Sequence, residues 1–317
     1  MPSTPNNYPR IYLFGDSLTE RAFEEHDSGF GWMLAQYYKD RVEIVNEGYS
    51  GQTTKSLRQA FDERILNTVK ERGLPSPLFI TIFLGANDAC FLGGDDRTYV
   101  PIAQYEKHIR HYVDTILEHP ATKDTRVILI SPPPVDVPPP PSTDFDLESV
   151  VEATRAAAAM GRGHRTWESK RKFAKKITEI GHEFEAKTDR FALFDFWTLI
   201  TKVKCQDETD SDVDEIFHKL DLEDTLPGSG MPGAPRFGLE YFIDGLHFGE
   251  KVSLSTAHYL FVFAKVGQGY DVLGRELLKL LLSKWPELNK ENFPVRVQVI
   301  NSSLNRLLQL ILLLANG

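Results

Sequence analysis

Apolar positions along the chain follow two rhythms. Short runs at residues 11–14, 42–45, 78–84, 127–130 and 191–194 are largely uninterrupted by polar groups, as in parallel strands covered on both faces. Between them, residues 31–39, 54–71, 102–118 and 166–187 carry the longer amphipathic spacing of helices. Strand and helix patterns in alternation predict right-handed βαβ units and one parallel sheet, an α/β fold of three α/β/α layers.

Three segments interrupt the alternation. Residues 132–141 hold seven prolines in ten positions and predict a stiff, extended exit from the fourth strand. Residues 207–224 carry nine acids against Lys219 alone and read as a surface excursion, with Ile216, Phe217 and Leu220 at helical spacing to tack it down. Residues 227–238 are turn-forming throughout. A basic run from Arg162 to Lys176 reads as a solvated helix face, with docking of the acidic excursion as the alternative.

Composition is that of a globular protein, 41% hydrophobic and 26% charged over 317 residues. The formal charge of −9 is uneven: the acidic excursion holds −8 of it, which leaves about −1 for everything else. No basic stripe suits nucleic acid. Two cysteines, Cys90 and Cys205, make no disulfide framework, and residues 1–7 lack the pattern of a signal peptide. A cytoplasmic setting is the expectation. The apolar run 310–315 is too short to span a membrane.

Candidate chemistry sits where strands end. Ser17, in Gly15-Asp16-Ser17-Leu18, follows the first strand, and the end of a strand in an α/β sheet opens onto a crevice. A serine there becomes a nucleophile if a histidine and a carboxylate reach it. Asp244 and His247, three residues apart, can supply both from one turn: the carboxylate orients the imidazole, which takes the serine proton. Asn87, in Gly85-Ala86-Asn87-Asp88 after the third strand, offers a side-chain amide to a developing oxyanion. The loop from Asn46 to Gly51 after the second strand offers a backbone N–H. No GxSxG elbow occurs. His108 and His111, one helical turn apart, have no third metal ligand in evidence and read as solvent-facing. Cys90 reads as a small apolar wall residue, and Trp32 as core or as a border to the substrate's alcohol side.

Together, Gly15-Asp16-Ser17-Leu18, Gly51, Gly85-Ala86-Asn87-Asp88 and Asp244-Gly245-Leu246-His247 resemble the four blocks of the SGNH (GDSL-type) hydrolases. Residues 83–89, Val100-Pro101, Tyr105, Ile130-Ser131-Pro132-Pro133-Pro134 and Lys284-Trp285-Pro286-Glu287-Leu288 resemble the isoamyl acetate-hydrolysing esterase subgroup. The resemblance implies a flavodoxin-like sheet of about five parallel strands, with Ser17, Asp244 and His247 catalytic. It implies an oxyanion hole from the N–H groups of Ser17 and Gly51 and the amide of Asn87. Gly48 is the alternative to Gly51, which matches the family spacing from Asn46. No metal and no cofactor is implied.

The expected organisation is a hydrolase domain over residues 1–289 and a tail over 290–317. In the tail, Leu304, Leu307, Leu308, Ile311 and Leu312 form an apolar helical face. Packing on its own domain or in a homodimer explains that face; membrane docking is the alternative, against which Arg306 is the helix's one charge. The expected activity is hydrolysis of small acetate esters, the partner being a small-molecule ester substrate. A carbohydrate deacetylase, or a thioesterase or lysophospholipase, could use the same residues. A non-catalytic binding protein on the same fold is the remote alternative.

Overall fold

The computed structural model describes residues 8–71, 74–90, 98–137, 166–208, 226–231, 233–248 and 268–295. Five parallel strands form one sheet: β1 (Arg10–Gly15), β2 (Glu43–Gly48), β3 (Phe79–Phe83), β4 (Arg126–Ile130) and β5 (Phe191–Phe194), in the order β2-β1-β3-β4-β5. All five runs of the sequence pattern are strands. β2 departs most. It begins one residue later and runs on through Asn46, Glu47 and Gly48; none of its residues is fully buried, so its apolar run marks only part of it.

Helices cover both faces. Ile11, Leu13, Phe79, Phe83, Ile128 and Ile130 face one core. It is filled by α2 (Phe30–Tyr37), α7 (Phe196–Glu208) and α8 (Gln268–Lys284). Tyr12, Phe14, Ile80, Ile82, Val127 and Leu129 face the other, which is filled by α5 (Ile102–Glu118) and α6 (Trp167–Glu185). The two-residue alternation of a strand divides each apolar run between the two cores.

α5 has the predicted bounds, and its buried residues Tyr105, Ile109, Tyr112, Val113 and Ile116 keep helical spacing. α6 starts at a Thr166 cap whose hydroxyl accepts the Ser169 N–H at 3.1 Å. The helix predicted over 54–71 is composite: a turn of α3 (Arg58–Ala60), a π-helical Phe61–Asn67 and α4 (Thr68–Glu71). Phe61, Ile65, Leu66 and Val69 are all buried, and the wider π turn brings Leu66, five residues after Phe61, onto the covered face. α1 (Ser17–Glu20), α7 and α8 are helices that the apolar pattern did not announce.

Among the described residues no helix is long and apolar enough to cross a membrane. Residues 138–141 of the proline run, 162–165 of the basic run, 209–224 of the acidic excursion and the 304–312 helix of the tail lie outside the described residues.

Candidate active site

In this strand order the chain turns in opposite directions after β1 and after β3, and such a switch point opens a crevice at the carboxyl ends of the strands. Ser17 stands two residues beyond β1, and Asn87 four beyond β3. Asp16 caps α1, its Oδ1 accepting the Leu18 N–H at 3.0 Å. From the other side, the buried Tyr270 hydroxyl donates to the Leu18 carbonyl at 2.8 Å. The turn that carries Ser17 is therefore held at both ends.

Ser17 Oγ lies 2.9 Å from His247 Nε2, across 230 residues of chain. His247 Nδ1 lies 2.8 Å from Asp244 Oδ2. The other carboxylate oxygen, Oδ1, accepts the backbone N–H groups of Leu246 at 3.0 Å and His247 at 2.8 Å. Burial alone would push the Asp244 carboxyl up. The hydrogen bond and charge of His247, with the two backbone N–H groups, more than offset it and bring it to about 2. Near neutral pH Asp244 can only accept, so the imidazole carries its proton on Nδ1. Nε2 is then left to accept from the Ser17 hydroxyl.

The loop after β2 is stitched to the serine turn. Tyr49 N–H donates to the Gly15 carbonyl at 3.0 Å, and Asn46 Nδ2 to the Glu20 carbonyl at 2.9 Å. The Glu20 carboxylate accepts the Ser50 N–H at 2.7 Å and its hydroxyl at 2.9 Å. Gly48 gives its N–H to Asn46 Oδ1 at 2.9 Å, which removes it as an oxyanion donor. Gly51 holds a left-handed φ of +75° that favours glycine. Its N–H and that of Ser17 meet no acceptor among the described residues. Asn87 donates from Nδ2 to the Gln52 carbonyl at 2.9 Å, which ties its amide to the residue after Gly51.

Behind Asn87, Asp88 is completely buried. It accepts the Thr54 N–H at 3.0 Å and the Thr54 hydroxyl at 2.5 Å. Burial pushes its carboxyl up to about 7; the bonds from Thr54 pull down, and the charge of Asp16 adds to the rise. Three side chains grip the same loop from below. Tyr105 donates to the Leu84 carbonyl at 2.9 Å, Ser169 to the Ala89 carbonyl at 2.8 Å, and Lys170 Nζ to the Ala86 carbonyl. Lys170 is fully buried, so the reading of the basic run as a solvated face fails there. Helical spacing from Trp167, Phe173, Ala174 and Ile177 was the signal that placed Lys170 on the covered side.

Cys90 is buried, as a wall residue would be. Trp32 is half-buried and joins neither core cluster, which corrects the core reading. His108 and His111 are partly buried rather than fully solvent-facing, and burial, followed by the charge of Arg58, lowers both. Among the described residues Glu24, His26 and Asp27 bring possible metal-ligand atoms within 4.8 Å of one another, and that group includes none of Ser17, Asp244 and His247.

The family model of the GDSL-like lipase/acylhydrolases matches residues 11–260. A GDSL esterase/lipase of Arabidopsis thaliana is 37% identical over 131 residues, 40% of this chain and 51% of that protein. An isoamyl acetate-hydrolyzing esterase 1 homolog of Rattus norvegicus is 35% identical over 128 residues, 40% of this chain and 49% of that protein. The matched stretch thus spans about half the length of these relatives. Among solved structures, a lipase/acylhydrolase from Enterococcus faecalis aligns over 91% of this chain and 99% of its own, with a TM-score of 0.46 and 18% identity. With most of its length under that family model, the chain belongs to the GDSL-like lipase/acylhydrolase family.

Proposed function

We propose that the chain is a serine esterase that hydrolyses small carboxylic esters, acetates foremost, through an acyl-enzyme. The observation that carries this reading is the relay Ser17 Oγ–His247 Nε2–Asp244, at 2.9 and 2.8 Å, with its protons assigned by the ionised carboxylate. Ser17 Oγ attacks the ester carbonyl carbon as its proton passes to His247 Nε2. The carbonyl oxygen, now anionic, rests on the N–H groups of Ser17 and Gly51 and on the Asn87 amide. His247 hands the proton to the departing alkoxide, leaving an acyl-serine and a free alcohol. Water, deprotonated by the same nitrogen, then releases the acid and restores Ser17. Every proton in the cycle is moved by a side chain of this chain, and no cofactor enters it.

Acetate as the acyl group is supported by the name of the rat relative, an isoamyl acetate-hydrolyzing esterase homolog. Two buried thiols, Cys90 and Cys205, agree with a reducing, cytoplasmic setting. The test is turnover of p-nitrophenyl esters from acetate to palmitate by the wild type and Ser17→Ala in parallel. Turnover confined to short acyl chains, and lowered by ~10⁴-fold or more in the variant, is the expected result. Activity that survives in Ser17→Ala overturns the mechanism. Preference for long acyl chains, for thioesters or for sugar acetates overturns the substrate class alone.

A further inference from the structure

His247 stands on a turn, and among the described residues 226–248 contain no helix or strand. The turn closes on itself through one backbone bond, Ile243 N–H to the His247 carbonyl at 2.9 Å, and through the bonds of the Asp244 carboxylate to Leu246 and His247, none of which ties it to the sheet. Phe242, Leu246 and Phe248 seat its flanks in the apolar core, but Nε2 must be placed more finely than that, since about 1 Å of misplacement can cost ~100-fold in rate. Something outside the turn must therefore hold it.

The contacts converge on Asp136. Its backbone N–H donates to the Gly245 carbonyl at 2.9 Å, in the middle of the Asp244–His247 turn. Its buried carboxylate accepts the N–H groups of Phe237 at 3.0 Å and Gly238 at 3.1 Å, and pairs with Arg236 Nη2 at 2.9 Å. The Gly238 carbonyl in turn accepts the N–H groups of Tyr241 at 3.2 Å and Phe242 at 3.0 Å, and Phe242 precedes the turn directly. Asp136 itself is anchored to the sheet. It follows β4 through Ser131-Pro132-Pro133-Pro134-Val135, all buried, with proline fixing φ three times running. Ser131 N–H donates to the Phe194 carbonyl of β5 at 3.1 Å.

We propose that Asp136 is the positioning residue of the acid–base turn: through its carboxylate and its own N–H it fixes His247 relative to the sheet that carries Ser17. It touches neither Ser17 nor His247 and acts through residues 236–245. The proposal rests on the esterase reading above. It accounts for the Asp that follows the proline run, which that reading leaves unused.

The test compares Asp136→Ala and Asp136→Asn with the wild type in the full chain. It measures kcat and KM on p-nitrophenyl acetate and the rate at which a fluorophosphonate labels Ser17, followed by mass spectrometry. For Asp136→Ala, kcat per labelled site and the labelling rate are expected to fall together by ~10- to 100-fold, with KM within about twofold. Asp136→Asn, which keeps one acceptor oxygen, should fall in between. A merely structural role would lower the number of labelled sites and leave kcat per site unchanged. If neither variant folds, Arg236→Met, which removes one partner of the clamp, carries the test and should slow labelling by up to about tenfold. Labelling and kcat per site at wild-type rates in the variants overturn the clamp and leave the esterase reading standing. A wild type that neither turns over the ester nor takes the label at Ser17 overturns both.

Discussion

Ser17 stands two residues past an interior strand whose neighbours on both sides are hydrogen-bonded to it, and its turn is capped by Asp16 and tethered by Tyr270. His247 stands in a stretch with no regular element among the described residues, held by hydrogen bonds and by Phe242, Leu246 and Phe248, which are buried in the core. The serine half inherits its position from packed apolar strands, where displacing an atom means disturbing a core. The histidine half has no strand beneath it and adds to its apolar packing a few directed contacts, among them those of Asp136. The two halves meet in the 2.9 Å hydrogen bond between Ser17 and His247, so the site is only as precise as both supports together.

After loss of the nucleophile itself, the largest expected effect lies on the histidine half. In Asp244→Asn, Oδ1 stays with the N–H groups of Leu246 and His247, so the new amide takes the place of Oδ2 and points a donor at Nδ1. The imidazole proton is forced onto Nε2, where it can no longer accept from Ser17. kcat should fall by ~10³- to 10⁴-fold with the fold intact, read by ester kinetics beside circular dichroism. A loss of only about tenfold would mean that the carboxylate does not set the tautomer.

On the serine half, Asn87→Ala should lower kcat by ~10²- to 10³-fold and leave KM little changed, because the amide acts on charge that exists only in the transition state. An equal rise in KM would instead mark Asn87 as a binding residue.

The smallest effect on turnover is expected one residue further on, at Asp88, where the comparison turns on stability. Its folded carboxyl titrates near 7 against an ordinary value of 3.8. Between about pH 4 and 7 the folded chain therefore keeps a proton that the unfolded chain has released, and this group lowers stability as pH rises through that window. Asp88→Asn keeps an acceptor for Thr54 and cannot ionise, so its unfolding midpoint should vary less with pH from 4 to 7. Asp244 has the opposite sign: held at about 2, it adds stability above about pH 4 that is lost as pH falls toward 2. An unchanged slope in Asp88→Asn between pH 4 and 7 would show that burial there is relieved by other means.

The strand ends that carry Ser17 and Asn87 are the more legible half of the site in sequence. Strands covered on both faces bury every residue or nearly so, as interior β1, β3 and β4 and edge β5 do, so they show as unbroken apolar runs, and the residues after them fall on one rim by topology. Ser17, Asn87, Asp244 and His247 were singled out by spacing and by likeness to known blocks. The supports were not, because polar groups that hold other polar groups follow no period. Asp136 lies beside prolines that dominate its neighbourhood, and Lys170 lies among surface cations. Two helices escaped for related reasons. On α7 the buried face includes Thr201 and Lys204, which blurs the apolar spacing. On α8, Gly269 and Gly274 interrupt the first turns, because a Cβ there would run into Phe248 and Met33.

The 230 residues between Ser17 and His247 also impose an order of events on synthesis. All five described strands have been synthesised by residue 194, while the histidine turn and Tyr270, which tethers the serine turn, are still unmade. Until the chain has grown past residue 247 and that late turn has found Asp136, Ser17 is an ordinary alcohol. On the esterase reading, hydrolysis would then report that folding has reached the histidine turn, and a nascent or truncated chain that lacks it would stay chemically silent.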